Sequence, residues 1–386
     1  MGAPPVLDAD THLYEPRDLW ERYADPGDRD RALRIVDDDL GHPWLVDASG
    51  RKLHLVEIHH PGDAAAMGAY RRQVRAGEPR RVRYDEELPA DFVEPEARLD
   101  RLDAFGTAES VVFPNFGLLW ERPLGDDPAT QLANMRAWNR WAVDVVVAGK
   151  GRLHPSAHLS LRDLDWLDEE LGRLAAGGVR IGMIAPALVD GKRLSHPDLD
   201  RAWSSFVEHG VTPVFHVEAF PHPFHDAWYD GDPDPVNPVL SSVFLWTGPA
   251  LALADMAVGG VFDRHPDLRL GVFEFSALWV PDFLMYLDGG FAFHANFNGA
   301  PLTELSLKPS EFIRRQVRVA AFSFEGPKRL IDLVGPEMFM YSSDWPHAEG
   351  IADPKSDIEA ALAPLEGTAA AGYGADNLRF VLRSDS

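Results

Sequence analysis

The sequence predicts an α/β fold in which eight parallel strands alternate with helices and close into a (β/α)8 barrel. Three observations carry this expectation. Eight short runs rich in β-branched or aromatic residues recur along the 386 residues. Segments with helical periodicity lie between them. Repeated strand–helix alternation implies a parallel sheet with helical crossovers, and eight such units suffice to close it. The rival, an open doubly wound sheet, is weakened because no glycine-rich phosphate loop follows the first run. No short internal repeat is visible.

In order, strands are expected near Val6–Asp10, Ser110–Pro114, Leu153–Leu159, Val179–Ile184, Thr212–Val217, Arg269–Phe275, Val317–Phe322 and Met338–Ser343. Among the helical segments, "EARLDRLDAFG" repeats apolar residues at Leu99, Leu102 and Phe105. "DLDWLDEELGRLAAGG" places Leu164, Leu167, Leu171 and Leu174 on one face and ends in glycines suited to a helix C-terminus. "HPDLDRAWSSFVEHG" also ends in glycine. Two insertions interrupt the alternation, after the first and fifth strands. Residues 18–95 include two strand-like runs around Asp47-Ala-Ser-Gly50, a hairpin signal. Residues 218–248 are rich in proline, histidine and aromatics, among them Phe220, Phe224, Trp228, Tyr229 and Phe244. Long loops at one end of a scaffold tend to shape a binding site, so both are expected to lid a single barrel domain spanning 1–386. The aromatics either meet an apolar substrate body or only pack the loop.

Composition narrows the chemistry. Hydrophobic residues make up 45% and charged residues 25%, the profile of a soluble globular protein. No apolar run reaches the roughly 18 residues that span a bilayer. "MGAPPVLDADTH" has neither the basic nor the long apolar region of a signal peptide, so a cytoplasmic protein is expected. The absence of cysteine excludes disulfides, thiolate metal sites and a cysteine nucleophile. A net charge of -24 repels phosphate backbones, which argues against nucleic-acid binding. An anionic substrate would need a local arginine or a metal to attract it.

In such a barrel, reactive side chains sit at the C-terminal ends of strands. Those ends hold Asp10 with His12, Asn115, His158, Ala185, His216 with Glu218, Glu274, Ser323 and Asp344. Asp10 and His12, two apart on a strand, share a face and can grip one ion, with His216 and Asp344 arriving from other strands. Each has a bland reading too. A lone strand histidine is more often structural, Asp8 or Asp10 can cap a turn, and Asp344 can open the turn through His347. Coincidence across several strands is far less common than at one, which favours a metal site.

These stretches resemble a known family. "DADTHLYEP", "VTPVFHVE", "LRLGVFEFSALWVP" and "MFMYSSDWPH", in this order, are similar to the signatures of the amidohydrolase-2 group. That group belongs to the metal-dependent amidohydrolase superfamily and includes aminocarboxymuconate semialdehyde decarboxylase. "GVRIGMIAP", "LSHPDLDRAWSSFVEHG" and the closing "GADNLRFVL" extend the resemblance over most of the chain. It implies a distorted (β/α)8 TIM barrel, a divalent metal and a homodimer. It also implies metal ligands at Asp10, His12, His216 and Asp344, with Asp344 acting as a base toward water. Relatives often carry a further histidine on the sixth strand, where this chain has Glu274, a candidate proton shuttle or ligand of a second metal. No lysine on the fourth strand is available for a carboxylated-lysine bridge.

Two oxygen and two nitrogen ligands suit Zn²⁺, Fe²⁺ or Mn²⁺, one ion or two, and two ionised acids balance a divalent charge. Glu15, His158, Glu218 and His347 are secondary candidates, with a structural role as the alternative for each. The first functional expectation is hydrolysis of an acyl bond (amide, ester, lactone or thioester) by metal-activated water, with Asp344, Glu274 and His216 as catalytic residues. The alternative is nonoxidative decarboxylation of an aromatic or unsaturated acid. From other classes, a silent barrel acting as a binding module and an oxygen-using iron enzyme stay open.

Overall fold

The structure is a computed structural model and describes residues 5–117, 120–217, 224–232 and 239–384. Among the described residues eleven strands form two sheets. The barrel takes β1 (Leu7–Leu13), β5 (Glu109–Pro114), β6 (Leu153–His158), β7 (Ile181–Met183), β8 (Thr212–Phe215), β9 (Leu270–Val272), β10 (Val317–Phe322) and β11 (Phe339–Ser342). These eight are paired parallel in chain order, each overlapping one expected run, although β1 continues past the expected Val6–Asp10 to Leu13 and so carries His12 within the strand. The ring closes between β11 and β1 by a bridge from Thr11 to Trp345, with Asp344 N donating to Asp10 O at 2.8 Å and His12 N to Trp345 O at 2.9 Å. This is a (β/α)8 barrel.

Ala9, Val111, Phe113, Met183, Val214 and Phe273 belong to the apolar cluster that fills the barrel, while a larger cluster lies between strands and surrounding helices. Local chemistry sets the helix ends. Asp127 accepts the Thr130 N–H at the start of Pro128–Ala148, and Pro128 occupies the first turn, where no N–H is needed. Gly106 and Gly210 end two helices in the left-handed conformation, with φ of 76° and 65°.

The first insertion is more ordered than a loop. The hairpin around Asp47–Gly50 is present as β3 (Pro43–Val46) and β4 (Lys52–Leu55), and β2 (Arg34–Asp37) adds an unexpected third antiparallel strand. Leu45, Tyr84 and Phe92 of this region join Trp345 in one buried cluster, which fastens the insertion to the barrel. Of the second insertion, Glu218, Phe220 and neighbouring positions lie outside the described residues. Phe224, Trp228 and Phe244 are exposed, the first and last packing ring to ring. Among the described residues no helix is long and apolar enough to cross a membrane.

Candidate metal centre

The C-terminal mouth gathers acids and imidazoles from four strands. Asp10 and His12 lie two apart on β1 and so share a face, with a register shift against β5 between Asp8 and Thr11. His216 directly follows β8, Glu274 follows β9, and Asp344 follows β11. His12 Nε2 lies 3.4 Å from Asp10 Oδ1, 3.2 Å from Asp344 Oδ1 and 3.9 Å from Glu274 Oε2. His216 Nε2 lies 3.5 Å from Asp10 Oδ1 and 3.2 Å from Glu274 Oε2. Glu274 and Asp344 have left-handed φ of 62° and 55°, a conformation that costs a non-glycine residue on the order of 1–3 kcal/mol. Gly350 packs so closely on the turn after Asp344 that a Cβ there would sit 2.5 Å from the Asp344 carbonyl oxygen.

The histidine tautomers follow from their backbone partners. His12 Nδ1 is 2.9 Å from Pro114 O and His216 Nδ1 is 2.8 Å from Val217 O. A carbonyl oxygen only accepts, so each Nδ1 carries hydrogen and each ring presents its Nε2 to the cluster. This is how metal-binding histidines are commonly oriented. Asp10 Oδ2, His12 Nε2, Glu274 Oε2, both Asp344 carboxylate oxygens and His347 Nδ1 are buried without a hydrogen-bond partner. Converging orphaned lone pairs in a dry site are unfavourable unless a cation satisfies them, so the residues fit a divalent metal.

Ligand atoms of Asp10, His12, His216 and Glu274 lie within 4.8 Å of one another, and those of His12, Glu274, Asp344 and His347 form a second such group. Sequence reasoning grouped Asp344 with Asp10 and His216 and left Glu274 for a second ion. The structure instead puts Glu274 and His12 in both groups, because Asp344 leans toward His347, its Oδ1 3.0 Å from His347 Nδ1.

Burial and unbalanced charge perturb these groups. Burial opposes charge on His12, yet Asp10 and Asp344 outweigh it and raise its pKa to about 10. Burial raises Asp10, but His216 and His12 prevail and lower it to about 2. Burial, with Asp10 adding to it, raises Asp344 to about 7 against the opposing pull of His12. Burial and the charges of Asp344 and Asp10 hold Glu274 well above the carboxylate range. His347 is lowered by burial and then by His12.

The secondary candidates divide. His347 stacks on His12 at 3.7 Å, and its Nε2 meets Asn115 Oδ1 at 2.8 Å, so it belongs to the cluster. Glu15 does not reach it: its carboxylate accepts Phe116 N at 2.9 Å and Gly117 N at 2.7 Å, fixing the loop after β5. His158 ends β6, with Nε2 3.2 Å from Glu121. Glu121 and Ala185 line a cavity of about 450 Å³ over the β6 and β7 ends. Ser323 bonds Asp357, away from the cluster. His59 and Glu349 were not singled out from sequence. His59, from the first insertion, stacks on His347 at 4.5 Å, and its Nδ1 lies 4.0 Å from Glu349. The only local signal was the pair His59-His60 in "EIHHPGD" and the acid two places after His347.

The family described as Amidohydrolase matches residues 8–378. No curated protein matches the sequence. Among solved structures, an amidohydrolase from Mycobacterium avium subsp. paratuberculosis is 24% identical with a TM-score of 0.77, over 99% of this chain and 100% of that one. A 5-carboxyvanillate decarboxylase from Sphingomonas paucimobilis is 18% identical with a TM-score of 0.67, over 99% and 100%. A dihydroxybenzoic acid decarboxylase from Polaromonas sp. JS666, with bound manganese and the inhibitor 2-nitroresorcinol, is 13% identical with a TM-score of 0.64, over 99% and 97%. At these identities the likeness establishes a shared fold.

Proposed function

The chain belongs to the amidohydrolase family, and from that premise we propose a divalent-metal-dependent enzyme that removes the carboxyl group of a small aromatic acid as CO₂ without an oxidant. The observation that carries the metal dependence is the convergence of unpartnered Asp10, His12, Glu274, Asp344 and His347 atoms at one barrel mouth. The choice of reaction is supported by decarboxylases of aromatic acids with the same fold, one of them with bound manganese. It reverses the order of preference drawn from sequence, where hydrolysis came first.

His12 and His216 would hold the ion through Nε2, with Asp10 and Asp344 supplying charge. The ion would contribute Lewis acidity and attract the substrate carboxylate into an otherwise acidic protein. Glu274, its carboxyl held well above the ordinary carboxylate range by burial and by the charges of Asp344 and Asp10, is the proposed proton donor. As the bond between ring carbon and carboxyl carbon breaks, its electron pair stays on the ring carbon, which takes the Glu274 proton while CO₂ departs. The Glu274 side chain is 11% exposed, enough to recover a proton through the mouth.

A second reading, hydrolysis of an acyl bond, is favoured by the unpartnered Asp344 carboxylate, a suitable base toward water. Turnover of 5-carboxyvanillate or a dihydroxybenzoic acid by Mn²⁺-loaded protein in D₂O separates the two. Release of CO₂ with deuterium on the product carbon is expected. Label from ¹⁸O-water in an acid product without CO₂ would establish hydrolysis instead, and O₂ consumption would point to an oxygen-using iron site.

A further inference from the structure

The cavity over the ends of β6 and β7 takes no part in the reaction proposed above, yet it borders the same mouth. Ser156 and His158 of β6 pair with Ile181 and Met183 of β7, which belong to the cluster filling the barrel. Ala157 and Leu159 belong to the cluster facing the surrounding helices. His158, at the end of its strand, therefore points into the mouth. Its Nε2 lies 3.2 Å from Glu121 Oε2, and Glu121 lines the cavity. Ala185, two residues beyond Met183, lines it from the end of β7. The sides of the cavity are fastened together. Arg162 Nε donates to Asp190 Oδ1 at 2.9 Å, and its Nη1 donates to Gly125 O at 2.7 Å and to Gln131 Oε1 at 3.1 Å. Asp190 and Gly191, with φ of 47° and 78°, make a two-residue turn between Val189 and Lys192, whose N–H groups and carbonyls bond each other at 2.9 Å. A pocket held in shape in this way receives a ligand without rearrangement.

We propose that this cavity is the specificity pocket for an apolar arm of the substrate. The acid would carry, on a ring position directed away from its carboxylate, an alkyl or aryl group that passes Ala185 and lies against Ile184, Ala187 and Leu188. This rests on the reading that the substrate is an aromatic acid drawn to a metal at the mouth. The strands that carry the acids and imidazoles of that site, β1, β8, β9 and β11, lie in one unbroken arc of the barrel, and β6 stands at the centre of the remaining arc. A carboxylate held on the first arc sends the rest of the substrate toward the second. Size agrees: a cavity of about 150 Å³ holds benzene, and this one, at about 450 Å³, takes a group of that size with the chain leading to it. The Arg162 charge is already answered by Asp190, at 2.9 Å from Nη2 as well, so it does not call for a second anion. Leu188 is 61% exposed on the rim, an apolar surface that an apolar arm would cover.

The test uses 2-hydroxybenzoate and its 4-alkyl and 5-alkyl homologues, from methyl to butyl, with Mn²⁺-loaded protein. Affinity is measured by titration calorimetry and turnover by CO₂ release. Each methylene taken from water into an apolar pocket strengthens binding about fourfold. One of the two series should therefore climb by about that factor per carbon, to on the order of 100-fold for butyl over the parent acid. Ala185→Trp fills the cavity at its wall and Leu188→Trp at its rim, and each should flatten the climb. Leu188 is exposed, so its variant keeps the test open if Ala185→Trp fails to fold. Val147→Trp, at a site 74% exposed elsewhere, should leave the climb as it is. Flat series in the wild type, no binding by any homologue, or a climb that both cavity variants leave intact would overturn the proposal. A climb in affinity that the cavity variants abolish, without release of CO₂, would uphold the pocket and overturn the decarboxylation reading alone.

Discussion

At Asp344 and Glu274 ligation can be separated from proton transfer, because an amide keeps the shape of a carboxylate and loses its charge. Asp344→Asn is expected to abolish turnover, since the amide neither balances metal charge nor takes a proton; activity assayed beside elemental analysis checks this. Glu274→Gln should lower the rate by roughly 10²–10⁴ with metal retained, the usual weight of general acid catalysis. Loss of metal would make Glu274 a ligand, and an unchanged rate would remove it from the mechanism. The pH dependence of metal binding follows from His12, which must release a proton to ligate below about 10, and from Asp344, whose ionisation steepens the rise near 7. Burial, with Asp10, raises Asp344 to about 7, so it is protonated below that pH and ionised above it. A ligand must be ionised, and Mn²⁺ affinity should therefore rise with pH through about 7. Electron spin resonance titrations on either side of that value report it directly, and a rise no steeper below that value than above it would exclude Asp344 from the ligand set.

Elements position these residues through contacts that bear no resemblance to a motif. Glu15→Ala would strand two buried amides, Phe116 N and Gly117 N, each costing about 1–3 kcal/mol. The adjacent Asn115, partner of His347, should lose its place with them, lowering both the melting temperature and the turnover rate. A variant that melts normally would show that water replaces the carboxylate. Such contacts mark the limit of what was legible. The barrel strands could be read because parallel strands buried on both faces are forced into apolar, β-branched runs such as "SVVFP" and "VRVAAF". Asp10, His12, His216, Glu274 and Asp344 could be read because strand ends converge once a barrel is assumed. The strand Arg34–Asp37 could not: four residues with a mixed burial pattern carry too little signal. Nor could the left-handed backbone at Glu274 and Asp344, nor His59, placed by stacking on His347 and by accepting the Ala348 N–H at Nδ1, both far along the chain. His59→Ala removes that stack, worth about 0.5–1.5 kcal/mol between rings. If the first insertion shapes the mouth, the substitution should raise KM by up to about tenfold and leave metal content unchanged; an unaltered KM would argue that His59 only fastens the insertion.

At the scale of the whole molecule, 61 acidic residues against 37 basic ones make the approach of a substrate a property of the entire surface. The acids at the mouth repel each other unless a cation stands among them, so metal binding also stabilises the fold. Ligand at a hundredfold its dissociation constant contributes about 2.7 kcal/mol; chelation should lower the melting temperature, and Mn²⁺ should restore it. The same charge gives a physical distinction between the two candidate reactions. A carboxylate substrate approaches a protein of net charge -24 against a long-range repulsion that salt screens. The screening length falls from about 30 Å at 0.01 M to about 8 Å at 0.15 M. For an aromatic acid, kcat/KM should therefore increase over that range, chiefly through association, while kcat stays level. A neutral ester, lactone or amide feels no such field, and its kcat/KM should be flat. A decrease with salt for the acid would mean that the metal and its histidines reverse the field at the mouth and steer the substrate in. Flat dependence for the substrate actually turned over, together with ¹⁸O in its product, would place this chain with hydrolysis.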